Sequence, residues 1–176
     1  TKEDKVRTDS RFNSEESMET FPAWSPDGKW LYFCSAATKD MPDERKDLHY
    51  SILKVNFDSA KGAFGDIVDT VYNARIDGGS ASFPRISPDG RYLLFTLADF
   101  GTFPIWHNEA DLKMIDLQSG APVDISVWND KDNTDSYHSW SNNGRWVLFS
   151  SRRLDGRYTR LFIAGLDNNG KPCKPF

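Results

Sequence analysis

Three segments of this chain share one pattern, and no other feature narrows the fold as far. They run Phe21-Pro22-Ala23-Trp24-Ser25-Pro26-Asp27-Gly28-Lys29-Trp30-Leu31-Tyr32-Phe33, then Phe83-Pro84-Arg85-Ile86-Ser87-Pro88-Asp89-Gly90-Arg91-Tyr92-Leu93-Leu94-Phe95, then Tyr137-His138-Ser139-Trp140-Ser141-Asn142-Asn143-Gly144-Arg145-Trp146-Val147-Leu148-Phe149. Ser25 and Ser87 stand 62 residues apart, and Ser87 and Ser141 stand 54 apart. A repeat of this size signals tandem supersecondary units that bury their apolar faces on one another.

Each copy reads as a β-hairpin. Proline pre-sets φ for the first central turn position, Asp or Asn suits the second, and Gly takes the left-handed one. This predicts a three-residue loop closed by a glycine bulge. The turn chemistry accounts for Asp27 and Asp89, so they are not read as catalytic carboxylates. Asn142-Asn143 keeps the turn in the third copy without the proline.

The strand after each turn is apolar on both faces: Trp30 and Tyr32 against Leu31 and Phe33, Tyr92 and Leu94 against Leu93 and Phe95, Trp146 and Leu148 against Val147 and Phe149. A sheet with one wet face would alternate apolar with polar residues. These strands therefore need cover on both sides. Third strands follow around Ile52–Phe57, Leu112–Leu117 and Leu161–Leu166, and fourth strands at Ile67–Val71 and Val123–Val127. No stretch carries a sustained helical period. The fold class is all-β: a β-propeller of four-stranded antiparallel blades with about three blades present, a partial propeller. Residues 1–20 form a loop with a strand of a preceding blade around Lys5-Val6-Arg7, residues 10–20 being loop. Blade one spans 21–79, blade two 80–134, and blade three 135–176 with its fourth strand missing or incomplete. Closing the ring then needs the remaining blades of a longer chain or a second copy of this one.

The motif resembles the repeat of TolB-like propellers: Ser-Pro-Asp-Gly-Lys/Arg, then an aromatic-aliphatic strand ending in Phe. Phe149-Ser150-Ser151-Arg152-Arg153-Leu154-Asp155-Gly156, leading into Leu161-Phe162-Ile163, is similar to that family's stretch after its second strand. The resemblance covers the chain from Glu19 onward. It implies a six-bladed ring and a non-catalytic domain that binds a protein, peptide or glycan. It also implies the periplasm or cell envelope of a Gram-negative bacterium. Similar propellers gate prolyl-oligopeptidase-like serine peptidases, the first alternative; a metal-dependent propeller lyase is the second.

Composition trims the choices. The net charge is −4, from 22 basic and 26 acidic residues mixed along 176 positions, which does not favour a nucleic-acid or anionic-membrane binder. No apolar run reaches the length of a membrane span. Cys34 reads as a buried core residue and Cys173 as incidental.

Propeller geometry puts the Ser-Pro-Asp-Gly turns on one face. The long second-to-third-strand loops, Ser35–Asp47 and Leu97–Glu109, and the shorter Arg152–Thr159 lie on the channel-entry face, where repeat proteins bind. Ligand-binding candidates there are Arg85, Trp106, His107, Tyr137, His138, Arg152 and Arg153. Arginines suit carboxylates and acidic surfaces, and flat rings suit peptides or sugars. His138 reads either as a channel-rim residue or as a hydrogen-bonded structural histidine. The three histidines come from different blades, which disfavours a zinc-type site. The oxygen-rich Asn129–Asp135 stretch lacks the glycine and distal glutamate of a calcium loop and reads as a solvated linker. No cofactor and no catalytic residue is expected: there is no nucleophile elbow or phosphate-cradling loop.

Overall fold

The computed structural model describes residues 9–12, 14–167 and 170–176. The strand expected around Lys5-Val6-Arg7 lies outside the described residues. Among the described residues, eleven strands form three antiparallel sheets. The first is β1 (Ser17–Trp24), β2 (Trp30–Ala37), β3 (Ser51–Asp58) and β4 (Ala63–Tyr72); the second is β5 (Ser80–Ile86), β6 (Tyr92–Ala98), β7 (Asp111–Asp116) and β8 (Pro122–Val123); the third is β9 (Asp135–Trp140), β10 (Trp146–Ser151) and β11 (Arg160–Gly165). Within each sheet the strands follow chain order, and β5 lies between β1 and β9 at the inner edges. This is an open, partial β-propeller.

The middle sheet shows why the strands are apolar on both faces. Leu93 and Phe95 of β6 point toward the first sheet and join a core with Tyr32, Cys34, Ile52 and Tyr72. Tyr92 and Leu94, one residue out of phase, join Leu112, Trp128, Val147 and Phe149 toward the third sheet. Alternation along a strand sends successive side chains to opposite faces, so one strand feeds two cores. Cys34 is fully buried, and burial pushes its thiol up to about 12.

The hairpin turns hold the expected residues in a different loop. The Gly28 N–H donates to Ser25 O (2.9 Å), and Gly28 sits at φ 69°. The Ser25 N–H then pairs with Trp30 O (2.9 Å), not with residue 29, so the loop has four residues. The reason is the serine side chain. Ser25 Oγ accepts from the Trp30 N–H (3.0 Å) and donates to Asp27 Oδ1 (2.6 Å), which also accepts from the Lys29 N–H (3.1 Å). Ser87 with Asp89, and Ser141 with Asn143, repeat the arrangement. A hydroxyl thus replaces one backbone carbonyl in closing each hairpin.

Two other strand boundaries depart from the sequence reading. β1 begins at Ser17, inside the stretch expected to be loop, because Ser17–Thr20 pair with Cys34–Ala37 and Met18 packs on the core. The fourth strand expected over Val123–Val127 is only Pro122–Val123, and Ser126–Trp128 form a 3₁₀ turn. Asp124 Oδ1 captures the Ser126 N–H (3.0 Å), and the side-chain amide of Asn129 takes the place of strand backbone. It accepts from the Leu112 N–H (2.9 Å) and donates to Leu112 O (3.0 Å). Asn129 is therefore a structural pairing residue and not part of a solvated linker. In the third sheet, the segment after β11 starts to pair along it: Ile163 and Phe176 exchange backbone hydrogen bonds (2.9 and 3.1 Å), and Leu166 bridges Pro172.

The two outward faces differ. On the first sheet, Phe12 packs edge-on against Phe33 and Phe64 (5.1 and 5.2 Å), and Arg11 bonds to Gly65 O. On the third sheet the outward face is open: Trp146 is 45% exposed, Leu161 66%, and their neighbours Leu148 and Ile163, paired across strands, are exposed too. Replacing both with lysine, Leu148→Lys and Ile163→Lys, should lower concentration-dependent self-association of the chain measured by light scattering. The expected cost in unfolding free energy is about 1 kcal/mol or less, because neither side chain is in a core.

Candidate functional site

The end of the sheets opposite the Ser-Pro-Asp-Gly turns carries the long loops, and two of them build a pocket. Residues 38–50 and 99–110, from the first and second sheets, face each other across a cavity of about 600 Å³. The Gly101 N–H donates to Leu48 O (2.8 Å), tying one loop to the other, and Ser80 Oγ donates to Gly101 O (2.7 Å). A 3₁₀ turn, Pro104–Trp106, is held from the third sheet by Thr134 Oγ1 bonding to Pro104 O (2.9 Å). These ties leave Trp106 projecting into solvent at 77% exposure beside Phe103 and Met41. His107 turns inward: its ring meets Phe100 edge-on (4.6 Å), and its Nδ1 is 2.6 Å from Glu109 Oε1. Burial pushes the Glu109 carboxyl up, but its own backbone N–H, that His107 contact and the Asp99 N–H together outweigh it and hold the carboxyl below the usual range.

The other candidates do not converge on this pocket. His138 is buried between the second and third sheets. Its Nε2 donates to Leu94 O (3.1 Å), which leaves Nδ1 to accept from Thr96 Oγ1 (3.4 Å). Of the two sequence readings, the geometry is that of a structural histidine. Burial pulls its pKa from the ordinary 6.5 down to about 4. Arg153 is a buried-pair residue. It bonds to Asp135 Oδ1 (2.6 Å), Trp128 O (2.5 Å) and Ser151 Oγ (2.8 Å), and its guanidinium lies over Phe162 (4.6 Å). Asp135 is fully buried, and burial pushes its carboxyl up against the pull of Ser151 and Arg153. Arg160 pairs with Asp155 (2.7 Å), whose carboxyl drops to about 2 mainly through the Tyr158 and Arg157 N–H groups. Arg152 is half-buried, and its backbone N–H reaches Thr134 O (3.4 Å). Arg85 is exposed on β5, where its carbonyl accepts from Trp140 Nε1 (3.2 Å).

Tyr137 belongs to a feature the sequence reading missed. Phe21, Phe83 and Tyr137, at equivalent positions of the three inner strands, all have positive φ (52°, 54° and 49°). Each sits where the inner strand slips register against its neighbour. Their rings meet blade to blade at a tilt, Phe21 against Phe83 at 4.2 Å and Phe83 against Tyr137 at 4.9 Å. Proline inside an otherwise regular strand, Pro22 and Pro84, is the sequence signal of such a bulge. Among the described residues, no group of three His, Cys, Asp or Glu side chains is placed to share a metal ion.

No family model matches the chain, and no curated protein does. Solved structures do match. The propeller domain of the Trilobed protease from Pyrococcus furiosus, described as having an open velcro topology, is 18% identical with a TM-score of 0.52. The match covers 92% of this chain and 43% of that one. Puromycin hydrolase is 16% identical with a TM-score of 0.57, covering 90% and 23%. An oligogalacturonate lyase from Vibrio parahaemolyticus is 15% identical with a TM-score of 0.51, covering 90% and 38%. The chain thus spans less than half the length of each. At these identities the likeness is one of fold, and it agrees with the propeller built above. Among the described residues, no helix is long and apolar enough to cross a membrane.

The buried groups have measurable consequences. The unfolded chain protonates His138 near 6.5 and the folded chain only near 4, so folding stability should fall as pH drops through that window and level off below it. The loss amounts to about 3 kcal/mol. His138→Gln keeps a donor for Leu94 O without titrating and should flatten this part of the pH profile in urea unfolding. Arg153→Ala leaves Asp135 buried without its partner and should cost about 3–5 kcal/mol in the same assay, part of it recovered by adding Asp135→Ala.

Proposed function

We propose that this chain is the recognition part of a larger, TolB-like β-propeller: it binds a peptide or protein segment at its loop face and does no bond-making chemistry of its own. One observation carries the reading. The repeat's own hydroxyls and carboxylates are consumed in hairpin closure, as Ser87 Oγ is by Asp89 (2.5 Å) and the Tyr92 N–H (2.8 Å). The opposite end instead presents unsheathed aromatic surface at Phe103 and Trp106 over a cavity. Exposed rings over a concavity suit a ligand that is bound by contact area. The partner implied by the open third sheet is a further blade, supplied by the same protein or by a second copy. The TolB-like pattern also supports a periplasmic or envelope location, on resemblance alone.

A second reading is the access-controlling propeller of a prolyl-oligopeptidase-like peptidase. Several of the similar structures are prolyl endopeptidases or related hydrolases, such as the one 18% identical with a TM-score of 0.51. In that case too, this chain contacts the peptide while chemistry belongs elsewhere. The lyase reading has less support, since His138 is buried with both ring nitrogens engaged and, among the described residues, no three His, Cys, Asp or Glu side chains are placed to share a metal ion.

Incubated with a mixed peptide pool and recovered by gel filtration, the chain should retain a subset of peptides and return every peptide at unchanged mass. Cleaved products in proportion to the protein added would overturn the non-catalytic assignment.

A further inference from the structure

The pocket between the 38–50 and 99–110 loops carries more information than an apolar surface alone, because its charged groups are uneven. Its floor and walls are apolar, formed by Met41, Leu48, Phe100 and Phe103 beside Trp106. Two carboxylates, Asp99 and Glu109, line it against a single guanidinium, Arg45. Glu109 already accepts from His107 and from the Asp99 N–H (3.4 Å), so its negative charge stays in place while its hydrogen-bonding capacity is partly used. An acidic sugar would meet two carboxylates, Asp99 and Glu109, against a single guanidinium, Arg45. An apolar side chain finds rings on several sides and a methionine that adapts to its shape. A cationic group next to that side chain would lie against the carboxylates.

We infer that this pocket is a recognition site for a peptide segment in which a bulky apolar residue, aromatic or large aliphatic, is flanked by lysine or arginine. The apolar side chain fills the cup beside Trp106, and the flanking cation faces Asp99. The inference rests on the peptide-binding reading above and sharpens it, naming the site and the charge of its ligand.

Fluorescence anisotropy with labelled pentapeptides tests it: Gly-Lys-Phe-Lys-Gly, Gly-Glu-Phe-Glu-Gly and Gly-Lys-Ala-Lys-Gly, with trigalacturonate as an unlabelled competitor. The Lys-Phe-Lys peptide should bind about tenfold more tightly than either of the others. Trigalacturonate should not displace it. Trp106→Ala should weaken Lys-Phe-Lys binding about tenfold, and Asp99→Asn should remove most of the preference for lysine over glutamate. Both side chains are exposed, so thermal unfolding of the variants should match the parent chain. Equal binding of the lysine- and glutamate-flanked peptides, or displacement by trigalacturonate, overturns the ligand class. Tight peptide binding unaffected by Trp106→Ala overturns the site and leaves the peptide-binding reading standing. Absence of binding by every probe, while peptides of a mixed pool are retained, overturns this inference alone; absence in both assays overturns both it and the peptide-binding reading.

Discussion

A blade of this protein cannot satisfy itself. Each sheet is apolar on both faces, and β6 shows the consequence most clearly: Leu93 and Phe95 reach one core while Tyr92 and Leu94 reach another. Burial of apolar area is the main favourable term in folding. The unit that folds is therefore the interface between blades, and a single blade is only half of two interfaces. The loop face, the channel wall and the turns all take their positions from that stacking. The 99–110 loop illustrates the dependence, since it is tied to the first sheet at Leu48 and to the third at Thr134.

Much of this architecture was legible in the sequence, because the repeat announces itself and strands apolar on both faces have few places to go. The details that failed share a cause. Sequence patterns describe backbone preferences, whereas the departures come from side chains standing in for backbone. Ser25, Ser87 and Ser141 lengthen the hairpin loop by accepting an N–H that a carbonyl would otherwise take. Asn129 shortens a fourth strand by presenting its amide to Leu112 as though it were a peptide group. Neither substitution changes the residue types that a pattern would read.

The loop face was less legible. Residue chemistry marked Trp106 and His107, and these do belong to one pocket. His138 and Arg153, singled out on the same grounds, are spent inside the structure, on Leu94 O and on Asp135. What separates the two cases is depth, which depends on contacts distant in the chain: 42 residues for His138 with Thr96 and 25 for Arg153 with Trp128 O. The remaining pocket residues, among them Arg45 and Asp99, lie in loops whose pairing is set by Gly101 and Leu48 and leaves no mark in either loop's own sequence.

The row of touching rings along the inner strands has a bearing on ring closure. Each blade holds one non-glycine residue in a left-handed conformation, a local strain of about 1–3 kcal/mol, and each contact between successive rings offsets part of it. In an open row of three there are three strained residues and two contacts, Phe21 with Phe83 and Phe83 with Tyr137. A closed circle equalises the two numbers whatever its size. Joining the last blade to the first then adds a stabilising contact with no new strain, so the bias toward a complete circle is already written into the backbone of every blade.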